Sequence, residues 1–259
     1  MQSEPRENTP ALWSDALPRP APDGHKYDRG HVAILGAPEL TGATRLAASA
    51  CSRIGAGLVT VLSHDQADVF RTALPPDIMV RSGPLADLKR ITVLLAGPGG
   101  FEASRLDELK SLPENAVRVL DADAIGLWKT SAHATVLTPH EGEFARAFPD
   151  VTGTRTAMAS AAADRTASTI VLKGPDTVIA APGGDMACNT HASPYLAKAG
   201  TGDVLAGIIA GLIAQGMEPF AAACAGVWIH GEAACRVGRG LIAGDLVDEL
   251  PAILGGLLN

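Results

Sequence analysis

The chain has 259 residues, of which 21 are Lys or Arg and 28 Asp or Glu, giving a formal charge of −7. That balance offers no broad basic surface to neutralise a polyanion, so it argues against a nucleic-acid partner; a phosphate-bearing ligand has to be held locally by backbone N–H groups, a helix N-terminus, a metal or a few cations. Hydrophobic residues make up 47% and aromatics only 4%, which suits close helix-on-sheet packing in one large α/β domain better than a β-sandwich.

The first two dozen residues are rich in Pro and charge, without sustained periodicity. They are expected as an extended arm over residues 1–24, followed by a single domain over 25–259. The N-terminus has no basic start leading into an apolar run, and the longest apolar stretches fall short of the ~20 residues that span a bilayer. The expectation is a soluble, cytoplasmic protein with no membrane partner.

From His25 onward, short apolar runs alternate with longer Ala-rich stretches. Strands are predicted at "HVAILG" (31–36), "LVTVLS" (58–63), "ITVLLAG" (91–97), "AVRVLDAD" (116–123), "ATVLTPH" (134–140), "STIVLKG" (168–174) and "TVIAAPGG" (177–184). Helices are predicted at about 43–56, 64–73, 102–110, 122–130, 141–148, 156–166, 203–215, 219–238 and 244–254. Repeated β-then-α order points to a mostly parallel, doubly wound sheet with helices on both faces. The two-residue "PD" link between the last two strands makes that pair an antiparallel hairpin. The four cysteines show no C-x-x-C spacing and read as reduced core thiols.

In open sheets of this kind, ligands sit beyond the carboxyl ends of the strands. The residues with chemical potential cluster there: Gly36 and the loop to Ala43, Gly97 to Gly100, Asp121 and Asp123, Thr138 to Glu143, and Lys173 with Gly174. The P-loop pattern G-x-x-x-x-G-K-[ST], a full G-x-G-x-x-G after a strand, H-E-x-x-H and G-x-S-x-G are all absent.

The densest signal is "AGTGDVLAG" (199–207). Gly200 and Gly202 free the backbone to turn several N–H groups toward one point at a helix start, where the dipole favours an anion. Asp203 in that turn reads either as an ordinary dipole partner or as a base accepting the proton of an attacking hydroxyl in phosphoryl transfer. Likewise Glu141 and Glu143 fit plain first-turn acids, while His140, at a strand end, could donate to or stack against a ligand. Lys173 is either a solvated turn residue or a phosphate contact.

Taken in order, "HKYDRGHVAILGAPELTGATRLAASACSRIGAGLVTV", "LLAGPGG", "VLDADAI", "LTPHEGE", "IVLKGPDTVIAAPGG", "AGTGDVLAGIIAGLIAQG" and "AGVWIHGEAA" resemble the ADP/ATP-dependent NAD(P)H-hydrate dehydratases, the carbohydrate-kinase-like branch of the ribokinase-like fold. "GTGD" alone marks only the ribokinase-like fold; "TPHEGE", "KGPDT" and the "GATRLAASACSRIGAGLV" helix narrow it to the dehydratase branch. The resemblance implies that (6S)-NADHX or (6S)-NADPHX, a hydrated dihydronicotinamide, is phosphorylated on its added hydroxyl by ADP or ATP and then loses phosphate to give NADH or NADPH. Asp203 would be the base, and Gly200, Thr201 and Gly202 the anion hole. Ala43, Gly99 and His140, with Asp203, would line the hydrate; Lys173, Gly174, Pro175, Asp176, Thr177 and Gly202 would line the adenine nucleotide.

Mg²⁺ is expected with the nucleotide, its ligands unassigned; at Asp121 and Asp123 a helix cap and a magnesium-associated role both stand open. "KYDRG" replaces the Lys-Gly-Asp of many members, and "GPGG" is followed by Phe101 instead of continuing as Gly-Leu-Gly. Relatives imply a homo-oligomer, with a tetramer among the options, and a functional link to a separate epimerase, since some two dozen N-terminal residues are too few to hold one. The same turn would also serve a vitamin or hydroxymethylpyrimidine-type kinase, or an adenine-nucleotide-binding module without turnover.

Overall fold

The apolar runs pair into a ten-stranded sheet in the computed structural model, which describes residues 4–130 and 135–258. In chain order the strands are β1 (Arg6–Glu7), β2 (His31–Leu35), β3 (Leu58–Leu62), β4 (Met79–Arg81), β5 (Val93–Ala96), β6 (Val117–Leu120), β7 (Thr135–Leu137), β8 (Thr169–Leu172), β9 (Thr177–Ala180) and β10 (Met186–Asn189). Their order across the sheet is β1-β10-β9-β8-β7-β6-β5-β2-β3-β4. Both pairings of β9 are antiparallel and the others are parallel. The sheet is thus mostly parallel, with the expected hairpin at β8 and β9.

The helices are α1 (Thr41–Arg53), α2 (Ala67–Ala73), α3 (Leu106–Lys110), α4 (Glu141–Ala147), α5 (Arg155–Thr166), α6 (Thr201–Ala214), α7 (Pro219–Val237) and α8 (Ala243–Leu258). Successive strand residues point to opposite faces, and each face has its own core. Val32, Ile34, Val93, Leu95, Val119, Val136 and Val171 pack with α1, α6, α7 and α8. Ala33, Leu35, Leu94, Ala96, Leu120, Leu137 and Leu172 pack with α3, α4 and α5. Burial on both sides is why these strands read as near-continuous apolar runs.

Helix α6 is buried along nearly its whole length. It can lie so close to α1 only because of its small residues: a Cβ added at Gly207 would stand 2.3 Å from the Ala47 carbonyl oxygen. This packing fixes where the helix begins, and therefore where its N-terminal N–H groups point.

Several expected boundaries move. The strand expected over 177–184 stops at Ala180, because Ala181 to Asp185 turn the chain into β10; Gly183 and Gly184 take positive φ there, and the Ala181 N–H donates to the Asp185 carbonyl at 2.8 Å. The helix expected over 122–130 is a 3-10 run, and that expected over 102–110 divides into a 3-10 turn (Ala103–Arg105) and α3. Helix α6 starts at Thr201, two residues before the expected Asp203, and α8 continues to Leu258 with Pro251 inside it. Three short strands had no clear pattern: β1, β4 and β10. Ala134, the first residue of one expected strand, lies outside the described residues.

The segment expected as an arm is tied to the domain. β1 pairs with β10, Trp13 and Leu17 are buried, and the Trp13 Nε1–H donates to Asn8 Oδ1 at 3.1 Å. All four cysteines are free; Cys51 and Cys224 are buried, Cys188 is half-buried, and Cys235 is exposed, outside the expected core location. Among the described residues no helix is long and apolar enough to cross a membrane.

Candidate active site

The carboxyl ends of β6, β7 and β8 bring three charges together. Asp121 follows β6 and is buried, and its Oδ1 accepts from Thr138 Oγ1 at 2.7 Å and from Lys173 Nζ at 2.8 Å. Lys173 follows β8, and its backbone N–H donates to the Pro139 carbonyl at 2.8 Å, so the pairing of the two strands continues past their ends to His140. Glu143 in the first turn of α4 stands 3.8 Å from the same ammonium. Burial alone would disfavour a charged Lys173, but the carboxylates of Asp121 and then Glu143 outweigh it and hold its pKa above the ordinary lysine value. The ammonium is already paired, and its charged form is favoured.

His140 caps α4. Its Nδ1 accepts from the N–H groups of Gly142 (3.0 Å) and Glu143 (3.3 Å), which places the proton on Nε2, 3.2 Å from Glu143 Oε1. Glu143 Oε2 accepts the His140 backbone N–H at 2.8 Å, completing a capping box. Both ring nitrogens are engaged, yet the side chain is 54% exposed, so the ring face is what it offers to a ligand.

The turn before α6 is built as the glycines suggest. Gly200 takes φ 92°, and a Cβ there would lie 2.7 Å from Leu46 Cδ1 of α1. Thr201 Oγ1 is 2.8 Å from the Leu196 carbonyl and 2.9 Å from that of Lys198. From α7, His230 donates its Nε2–H to the Thr201 carbonyl at 2.9 Å; burial pushes its pKa down to about 4 and keeps it neutral. Asp203 lies in the first turn. Burial and the nearby Asp121 carboxylate push its carboxyl up to about 6, against the pull of Lys173. A carboxyl titrating there can act as a base near neutrality.

Beside this turn opens a cavity of about 570 Å³, within the range of small-molecule sites. Lys173, Gly174, Pro175 and Thr177 form one wall, Asn189, Thr190, Ala192, Ser193, Pro194 and Leu196 contribute another, and Thr201, Gly202, Leu205, Val227 and His230 close it. Asp176 does not line it, nor do Ala43, Gly99 and Asp203. Ala43 and Gly99 meet on the α1 side, where a Cβ at Gly99 would be 3.0 Å from the Ala43 Cβ and 2.4 Å from the Leu40 carbonyl oxygen. The first turn of α6 therefore touches α1 through Gly200 and the cavity through Gly202, with Asp203 next in line.

Sequence reasoning missed the wall from Asn189 to Leu196, because β10 is four residues long and lacks a strong pattern. It also passed over His230, although "WIHGEAA" marks a polar residue inside an apolar helix. Asp123 is exposed and takes no part in the charge cluster.

Among the described residues no three His, Cys, Asp or Glu groups stand together as a metal site, and the Lys173 ammonium already compensates Asp121 and Glu143. These residues do not form a protein cage for Mg²⁺. That ion binds readily through substrate phosphates while keeping several waters, so a nucleotide could bring it.

The family model described as NAD(P)H-hydrate dehydratase matches residues 31–254. A bifunctional NAD(P)H-hydrate repair enzyme of Moorella thermoacetica is 38% identical, over 96% of this chain and 54% of its own length. The chain spans about half the length of the bifunctional relatives it matches. An ADP-dependent (S)-NAD(P)H-hydrate dehydratase of Neisseria meningitidis is 36% identical, over 92% of this chain and 88% of its own. The crystal structure of an ADP/ATP-dependent NAD(P)H-hydrate dehydratase from Bacillus subtilis, co-crystallised with ATP and Mg²⁺, superposes with a TM-score of 0.86 at 28% identity, covering 98% and 99% of the two chains.

Proposed function

The chain belongs to the NAD(P)H-hydrate dehydratase family and has its ribokinase-like fold, and from that premise we propose that it is an ADP-dependent dehydratase of (6S)-NADHX and (6S)-NADPHX, regenerating NADH and NADPH. The observation that carries this reading is Asp203, a carboxyl raised to about 6 in the first turn of α6, next to Gly202 on the cavity wall.

Adenine nucleotide fits the cavity bounded by Lys173, Gly174, Pro175 and Thr177; Asp176, outside the lining, belongs to the same turn. The hydrate lies toward Ala43 and Gly99, with the exposed ring face of His140 available to stack on it. Asp203 takes the proton of the added hydroxyl, whose oxygen attacks the terminal phosphorus of ADP; the phosphoanhydride bond breaks and AMP leaves. The N–H groups at Gly200, Thr201 and Gly202 take up charge on the transferring phosphoryl oxygens. Hydroxide is a poor leaving group, whereas phosphate is a good one. The ring nitrogen donates its lone pair, the C–O bond breaks with its electrons going to phosphate, and loss of the adjacent ring proton restores the dihydronicotinamide. Bound through the nucleotide's phosphates and not held by a protein cage, Mg²⁺ would supply charge compensation on the phosphates.

We read the protein as cytoplasmic, acting on the cell's pyridine-nucleotide pool. A homo-oligomer, a tetramer among the options, and a functional link to an epimerase acting on the opposite hydrate belong to the same reading; the bifunctional repair relatives support that link. The test supplies NADHX and Mg²⁺ with ADP or ATP separately and follows dihydronicotinamide absorbance. Recovery of NADH with AMP and phosphate as products is expected with ADP. A stable phosphorylated alcohol would indicate a kinase, and silence with both nucleotides would overturn the reading.

A further inference from the structure

Two carboxylates stand within 4 Å of the Lys173 ammonium, and that of Asp203 acts on it electrostatically. The ammonium stands 2.8 Å from Asp121 and 3.8 Å from Glu143, and a Cβ at Gly202 would lie 3.4 Å from it. Yet Asp203, the next residue, forms no ion pair among the described residues. We propose that Asp121 is a positioning residue for Asp203: by holding the Lys173 ammonium at its own Oδ1 it keeps that cation from pairing with Asp203, leaving this carboxylate free to take a hydroxyl proton. The inference rests on the reading of Asp203 as the base.

The local bonding supports one direction of movement. Thr138 Oγ1 donates to the same Asp121 oxygen, fixing the carboxylate that fixes the ammonium. Both oxygens of Glu143 are engaged by His140, so Glu143 has little freedom to take over the cation. If Asp121 lost its charge, the flexible ammonium would find in Asp203 a carboxylate held only by its own backbone N–H, with no cation on it. A carboxylate held in a salt bridge is a weaker base, because the cation stabilises the anion that must accept the proton.

The groups around Asp203 make the sign definite. They are Asp121 from the end of β6, Glu143 from α4, Lys173 from the end of β8, and neutral His230 from α7 on the same turn. Replacing Asp121 by Asn removes a repelling charge and releases a cation toward Asp203; both effects lower the pH at which Asp203 binds its proton. Replacing Lys173 by Met leaves only carboxylates around Asp203, which raises that pH. A packing role would not yield opposite shifts from the two substitutions.

The experiment titrates the side-chain carboxyls of the full chain by ¹³C NMR, with Asp203→Asn assigning the resonance, in wild type, D121N and K173M. The Asp203 midpoint is expected to fall by about half a pH unit or more in D121N and to rise by a similar amount in K173M, a roughly threefold change in proton affinity each way. In the NADHX assay the acid limb of D121N should move down in parallel, with kcat at neutral pH lower by about twofold to threefold. An unchanged or raised midpoint in D121N would overturn the proposal. Should D121N fail to fold, K173M decides alone, and a midpoint that does not rise is equally fatal. A wild-type protein that produces no NADH would sink the functional reading, while the carboxyl titration still reports on the placement of the cation.

Discussion

Replacing Asp203 by Asn should abolish turnover and stabilise the protein, and the stabilisation should depend on pH in one direction only. The carboxyl is raised from its ordinary 3.8 to about 6. Below the lower value both folded and unfolded chains hold the proton. Between the two values the folded chain still holds it while the unfolded chain has released it, so the stability associated with the protonated group is lost as pH rises through about 6. At about 1.36 kcal/mol per pH unit the full difference is about 3 kcal/mol, and partial exposure of the site reduces the expected gain for Asn to about 1–3 kcal/mol. Urea denaturation of both proteins near pH 4 and pH 8 measures it: the advantage of Asn should be small at the lower pH, grow as pH rises between the two pKa values, and reach its plateau at the higher pH. Turnover should fall by ~100-fold or more, with adenine-nucleotide binding retained. A pH-independent difference, or an Asn variant less stable at pH 8, would refute the assignment of a destabilised ionised carboxylate.

Three further outcomes follow from packing and hydrogen bonding. His230→Leu should cost about 1–3 kcal/mol by leaving the Thr201 carbonyl without its His230 donor and should slow turnover; Gln, which keeps an N–H donor, should recover part of the rate in the same assay. Gly207→Ala places a methyl 2.3 Å from the Ala47 carbonyl oxygen, so chemical denaturation should show a loss of about 1–3 kcal/mol. Trp13→Ala removes a buried ring in contact with Trp228, centroids 5.7 Å apart, and should destabilise the domain by about 3–5 kcal/mol; a thermal transition unchanged from wild type would show that the N-terminal segment contributes nothing to the fold.

The sheet was legible because its strands are covered on both faces. "HVAILG" and "LLAGPGG" are apolar without alternation, and the structure puts Val32 in one core and Ala33 in the other. β1, β4 and β10 were not, because edge and near-edge strands of two to four residues carry too few side chains to show a period. The glycines before α6 were readable as a turn facing an anion, since left-handed backbone at Gly200 leaves a mark in the residue type itself. The helix start at Thr201 was harder to locate: Gly202 is a poor helix former, and packing against α1 overrides that preference.

The arrangement of charge was the least legible feature, and the reason is physical. "DADAI", "TPHEGE" and "LKGPD" each place a charged residue at a strand end or first helical turn, where solvated caps and turns put such residues anyway. Only the order of β6, β7 and β8 in the sheet brings Asp121, Glu143 and Lys173 onto one another, and only burial makes their pairing strong enough to matter. Lys173 illustrates the difference. As a single residue it offers a phosphate a positive charge; in the folded chain that charge is shared with two carboxylates, so what it can offer Asp203 or an incoming phosphate depends on how firmly Asp121 holds it.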